Sequence, residues 1–306
     1  MRLVLDARTA AFAALIDYAG LFPPSSLEMH DAVATYRQLR SGPRAWVAGR
    51  FLCRTSQLRD LAAVATSTFA SGEHPWEIGA IFDLPPGESA ALAADFHAEM
   101  EPVMTVATAE ARLVDPTARS LSALLDAVFS VGAEVVPYIE VDRAHPVEHQ
   151  IGLIADALDA RHRIGGAKLR CGGERPDLFP TPSEVARFIA TATDRKLPFK
   201  ATAGLHQPIR HFDDGLGVWQ HGFVNLVIAS ALAATGASLD TLEAAIAETD
   251  VKAFAMSTAF ASWTSHEIPG SALRRMRQSG FVAYGSCDID EPIDALEELG
   301  FIGEGA

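Results

Sequence analysis

The chain has 306 residues, 49% of them hydrophobic, and a formal charge of −14 from 25 basic and 39 acidic side chains. That length suits one large α/β barrel as well as two small domains, and the apolar content is enough for a large core. The acidity argues against a nucleic-acid partner, which needs clustered Lys and Arg, but leaves a small anionic substrate open because that responds to local charge only.

The opening stretch, MRLVLDARTAAFAALIDYAG, is broken by Asp6, Arg8 and Asp17 and carries no secretory core. From there short β-rich runs alternate with amphipathic ones. The predicted strands are LIDYAGLF from Leu15, AWVAGRFLC from Ala45, EIGAIFDL from Glu77 and VMTVATAEARLV from Val103. They continue with EVVPYIEV from Glu134, GAKLRCGG from Gly166, PFKATAGL from Pro198 and, less clearly, AFAMSTAF from Ala253. Helical spacing fills the gaps, as in SLEMHDAVATYRQLR, SQLRDLAAVATSTF and HPVEHQIGLIADALDARH. Ser25 with Glu28, and Thr181 with Glu184 behind Pro182, fit helix-starting capping boxes, and Gly42, Gly132 and Gly236 stand where helices should end.

Strands separated by helical stretches imply parallel pairing through right-handed crossovers. Seven or eight such units predict a closed (β/α)8 TIM barrel, one domain over residues 1–306, in preference to an open doubly wound sheet. No GxGxxG or GxxxxGK[ST] follows any strand, so no nucleotide cofactor is expected. The stretch from His206 to Gly222 is long for a loop and reads as a lid, a binding segment or a concealed short helix. The three cysteines, Cys53, Cys171 and Cys287, have no zinc or disulfide spacing, and the longest apolar run, Phe223 to Thr235, is too short to span a bilayer. A reduced, cytoplasmic, soluble protein without a membrane partner is the expectation; whether it forms a homo-oligomer stays open.

Parallel strands covered by helices should be almost continuously apolar. Here charges interrupt one strand after another: Asp17, Arg50, Asp83, Glu110, Glu140, Lys168 with Arg170, and Lys200. Alternation puts Lys168 and Arg170 on one face with Ala167, Leu169 and Cys171 opposite, and Lys200 with Thr202 on one face of the next strand. The charged set points into the barrel mouth, where catalytic groups of this architecture gather; Cys171, on the other face, reads as a buried structural thiol. Lys168 and Lys200 then stand on neighbouring strands roughly 4.8 Å apart. Two cations ~4 Å apart repel by about 4 kcal/mol at an effective dielectric of about 20, enough to lower one amine's pKa by roughly 3. A lysine so deprotonated can form a Schiff base, with Glu140 and Glu110 as acid/base groups.

Four elements, YIEV, GGAKLRCGG, TPSEVARFI and PFKATAGL, also follow one another between Val136 and Arg210 in an order that resembles the class I deoxyribose-phosphate aldolase family. The resemblance covers about a quarter of the chain and implies Lys168 as the Schiff-base lysine and Lys200 as the lysine that tunes it. It departs from the family at Arg170, which replaces a small polar residue and could grip a carboxylate or phosphate. It departs again at Ala203-Gly204-Leu205-His206, where the family has its Gly-Gly phosphate loop, and it has no matched proton-relay aspartate.

Three readings follow. The first is a lyase acting on a small carbonyl or anionic compound through an imine at Lys168, without metal. Lys200, Glu140 and Glu110 are its other catalytic groups, and Arg170, Thr202, His206, Arg50, Asp17 and Asn225 its substrate contacts. In this reading His221 and Asn225 lie four apart on one helix facing the site. The second is a metal-dependent barrel enzyme built on His206, His211 and His221 with Glu140 or Asp83, although their spacing matches no standard ligand motif. The third is a non-catalytic barrel whose strand charges form inert ion pairs. Tyr284 to Cys287 is expected to be a loop over the site or a turn before a helix at Pro292.

Overall fold

The computed structural model describes residues 6–68 and 73–303. Its centre is a ring of eight parallel strands: β1 (Ile16–Tyr18), β2 (Ala48–Arg54), β3 (Trp76–Ile81), β4 (Met104–Arg112), β5 (Val136–Glu140), β6 (Gly166–Arg170), β7 (Phe199–Thr202) and β8 (Phe281–Ser286). They follow one another around the ring in chain order, and β8 closes it by pairing with β1. A helix follows each strand, beginning with Met29–Ser41 after β1 and ending with Asp290–Glu298 after β8. This is a (β/α)8 TIM barrel.

The outward residues make the core between sheet and helices. Phe51, Ile78, Ala80, Ala167 and Phe199 are fully buried, and Leu169 almost so. Tyr18 stacks on Tyr36 of the Met29–Ser41 helix at 5.7 Å, and Tyr36 meets Trp76 edge-on at 4.7 Å. Across the barrel, Phe199 stacks on Phe281 and Tyr284 on Phe223. Apolar burial of this extent outside the ring lets the inner face carry charge.

Helix boundaries follow local chemistry in most places. Thr181 and Glu184 form the expected capping box with Pro182 leading, and Gly42 and Gly132 are C-caps. Gly236 lies just past its helix, with φ +85°. The Ser25–Glu28 box does not form, because Glu28 itself is the N-cap and the helix begins at Met29.

Three expectations are corrected. The AFAMSTAF stretch contributes Phe254–Met256 to a three-stranded antiparallel sheet with Phe260–Trp263 and His266–Pro269, outside the barrel. The eighth barrel strand is Phe281–Ser286, so Tyr284, Gly285 and Ser286 are strand and not loop. The long segment after β7 holds a two-stranded hairpin, His211–Asp213 with Val218–Gln220, and no helix. Among the described residues no helix is long and apolar enough to cross a membrane. Residues 1–5 of the stretch read for a secretory core, and Phe69 of the second helical segment, lie outside the described residues.

Candidate active site

Strand alternation places Lys168 and Arg170 on the inner face of β6, with Ala167 and Cys171 wholly buried on the outer face. Burial pushes the Cys171 thiol up to about 12, which suits the structural role expected of it. On β7, Lys200 stands directly opposite Lys168 in the strand register, and Glu140 of β5 pairs with Lys168 from the other side. The side-by-side lysines inferred from spacing are therefore present.

Their electrostatics are not as expected. Glu110 of β4 reaches between the two amines: its Oε2 lies 2.7 Å from Lys168 Nζ, and its Oε1 accepts from Lys200 Nζ. Lys200 also contacts Asp17 Oδ2 at 2.5 Å. Lys168 faces Glu140 Oε2 at 3.4 Å, and Arg170 Nε donates to Glu140 Oε1 at 3.1 Å. The result is a ladder of alternating charge, Asp17–Lys200–Glu110–Lys168–Glu140–Arg170, three anions against three cations. Side-chain exposure rises along it from 0% at Asp17 through 1% at Lys200, 2% at Glu110, 7% at Lys168 and 10% at Glu140 to 42% at Arg170. It begins sealed inside the barrel and ends at the carboxyl-terminal mouth.

Burial alone would neutralise Glu110, Glu140 and Lys200, and each of the three is held ionised by its neighbours. Burial works to raise the Glu110 carboxyl, but the Lys168 and Lys200 ammoniums bring it down to about 2. The same contest, won by Lys168 and then Arg170, keeps Glu140 below its ordinary range. Burial works to lower Lys200, yet Asp17 and Glu110 outweigh it and raise that amine above its ordinary value. A carboxylate stands between the two amines, so the bare cation–cation contact expected from the strand spacing is not what the structure shows.

Several expected substrate contacts are spent elsewhere. Asp17 is fully buried beneath Lys200 and accepts from the Arg50 backbone N–H at 2.7 Å. Gly49 leaves room for it, since a Cβ there would stand 2.2 Å from the Asp17 carboxylate. Arg50 pairs with Glu77 of β3 near the strands' amino-terminal ends, away from the mouth. Asn225 is wholly buried; its Oδ1 accepts from Arg210 N–H, and its Nδ2 donates to the carbonyls of Ala245 and Glu248. That makes it a tie between the loop at Arg210 and the end of the Leu239–Ala247 helix. His206 reaches Glu291 at 3.2 Å, and Gln207 holds the other oxygen of the same carboxylate. Only Arg170 and Thr202, both half-buried on the inner face at the ends of β6 and β7, keep the positions expected of substrate contacts.

The candidate metal ligands are dispersed. His211 sits on the hairpin, and Asp83 accepts from Thr55 and Ser56 of the 3-10 helix Thr55–Gln57 that follows β2. His221 precedes its helix and does not share a face with Asn225; its Nε2–H donates to Pro180 O at 2.7 Å. Among the described residues, no group of three His, Cys, Asp or Glu side chains is gathered as metal ligands.

Sequence reasoning missed Tyr138, whose ring centroid lies 5.4 Å from Lys200 Nζ. The signal was there: Tyr138 shares the inward period of β5 with Glu140. Two clefts of about 440 and 430 Å³ share Gln207, Ala295 and Glu298, and neither Lys168 nor Arg170 lines them. Compared with known proteins, the chain matches no family model, no curated protein and no solved structure.

Proposed function

We propose that the protein is a lyase that makes or breaks a carbon–carbon bond beside a carbonyl, through an imine between Lys168 and a small carbonyl substrate. The observation that carries this is the position of Lys168: an amine between two carboxylates, 2.7 Å from Glu110 and 3.4 Å from Glu140, near the mouth and beneath Arg170. An ammonium and an iminium carry the same charge. A pocket that stabilises one therefore stabilises the other and disfavours the neutral carbinolamine between them, which drives loss of water. The iminium then draws in the electron pair of the adjacent carbon–carbon bond.

The roles divide by depth. Glu140, nearer the mouth, exchanges protons with the amine and the substrate oxygen. Glu110, sealed and shared with Lys200, is the fixed counter-ion that orients Lys168. Arg170 anchors an anionic group and Thr202 a hydroxyl. The likeness of residues 136–210 to class I deoxyribose-phosphate aldolases supports the same assignment of Lys168, and Glu110 supplies a carboxylate from β4 although no aspartate matches the family's relay. Three free thiols suit a reducing, cytoplasmic setting.

Borohydride added with a panel of small aldehydes and ketones tests the reading. The expected result is a reduced adduct on Lys168, found by peptide mass spectrometry and abolished in Lys168→Ala. A panel that leaves Lys168 unmodified refutes it.

A second reading has one observation in its favour: four of the six ladder members are 7% exposed or less, and the clefts lie to one side. In that reading the ladder is an inert ion-pair network inside a binding or assembly module. Lys168 counts against it. Glu110 keeps Lys200, and Glu140 keeps Arg170, whether or not Lys168 is present, so a purely structural network has little use for it.

A further inference from the structure

The outer link of the ladder differs from the others in being open to exchange. Arg170 lends only its Nε–H to Glu140 Oε1; among the described residues its terminal Nη groups meet no protein acceptor, and the side chain is 42% exposed. The other oxygen of the same carboxylate faces the Lys168 ammonium at 3.4 Å. One carboxylate thus divides its charge between a guanidinium that a solute can reach and an ammonium that must lose a proton before it can react.

Building on the imine reading above, we propose that the substrate is a short carbonyl compound bearing a carboxylate or phosphate, and that this anion frees the Lys168 amine by drawing Arg170 away from Glu140. A guanidinium presents a planar fork of donors that matches either anion, and an anion in the mouth offers it a bidentate partner where Glu140 offers a single contact. With Arg170 withdrawn, Glu140 keeps its negative charge and loses one of the two cations that stabilise it, so its proton affinity rises. The nearest proton is on Lys168. Glu110 cannot compete for it, because Lys200 still holds its other oxygen.

The step balances. The Lys168 ammonium gives one proton to Glu140, and the neutral amine forms the C–N bond as the carbonyl π pair moves to oxygen. That oxygen takes up protons by way of Glu140 and leaves as water. The products are the iminium, one water and Glu140 again as carboxylate. Lys168 and Arg170 are two residues apart on one face of a strand, about 6.6 Å between Cα atoms, so the anion and the carbonyl carbon are separated by only a few bonds. A neutral carbonyl compound can enter the mouth but leaves Arg170 on Glu140, so it reacts with the amine more slowly. Selection then acts on the reacting state and not on binding alone.

The test separates the anion from the carbonyl. Borohydride trapping of acetaldehyde on Lys168 is timed in the full chain, with millimolar formate or inorganic phosphate added, or with sodium chloride at the same ionic strength. The expected result is that formate or phosphate, but not chloride, accelerates trapping about tenfold, the effect of a roughly tenfold larger fraction of free amine. Arg170→Gln loses that acceleration. Which anion works distinguishes a carboxylate-bearing substrate from a phosphorylated one. If acetaldehyde is trapped on Lys168 at a rate that neither anion raises, the coupling is overturned and the imine reading stands. If no carbonyl compound is trapped at all, both fall.

Discussion

Lys168 and Lys200 occupy matched positions on adjacent strands, yet their surroundings give them different work. Lys200 is the only side-chain cation within contact of Asp17 among the described residues, and it shares Glu110. Removing it leaves a fully buried carboxylate with the Arg50 backbone N–H and no side-chain cation in contact. Breaking a buried pair on one side costs about 3–5 kcal/mol, and Lys200→Met is expected to lose stability on that scale in urea denaturation. Lys168→Met leaves Glu110 and Glu140 each with a remaining cation and is expected to be milder by about 2 kcal/mol, while abolishing imine formation. Equal losses for the two variants contradict this division. The two lysines were legible because charges in apolar strands stand out. The bridging of Glu110 was not, since nothing in the sequence states how far β4 lies from β6 across the barrel axis.

Between elements, the closure of the ring depends on a residue that no motif marks. Arg277, at the end of the Gly270–Ser279 helix, donates Nε–H to Phe281 O at 2.9 Å and Nη groups to Ala11 O at 2.6 Å and Val282 O at 2.5 Å. Burial pushes this guanidinium down to about 10. Ala11 lies in the last turn of the Ala7–Phe12 helix, where carbonyls lack intrahelical partners. One side chain therefore joins the N-terminal helix to the strand that closes the barrel. Hydrogen bonds to a charged group contribute about 1.5–3 kcal/mol each, so Arg277→Met is expected to lower stability by at least about 3 kcal/mol, read as a lower urea midpoint. Strand β8 escaped recognition for a related reason. Its inward positions are Ala283 and Gly285, small residues that give FVAYGS the look of a turn, and the more apolar AFAMSTAF took its place in the reading.

At the scale of the whole molecule, buried titratable groups set the acid limit. His221 is 1% exposed, and burial lowers it from 6.5 to about 4, so the folded protein keeps it neutral where the unfolded chain protonates it. Its contribution is complete above pH 6.5 and is lost as pH falls toward 4, roughly 3 kcal/mol in all. Glu110 and Glu140 act lower down: held below their ordinary 4.5, they give stability that is present above that pH and lost as pH falls beneath it. Denaturation followed from pH 7 to pH 3 is expected to show a decline beginning near 6.5, and His221→Gln is expected to flatten the part above pH 4.5. A variant that keeps the full decline would assign it to another group.

The order of the first seven barrel strands, the barrel itself, and the charged inner faces of β6 and β7 were legible in the sequence alone. Period-2 and period-3.6 patterns are local, and a charge within an apolar strand is conspicuous wherever the strand lies. Tertiary structure decided the rest. It made Glu110 the bridge, sealed Asp17 and Lys200, spent Asn225, Arg50 and His206 on other partners, and left Arg170 at the mouth. Those outcomes depend on contacts in space between residues 15 to 183 positions apart, and such contacts have no periodicity for a sequence to display.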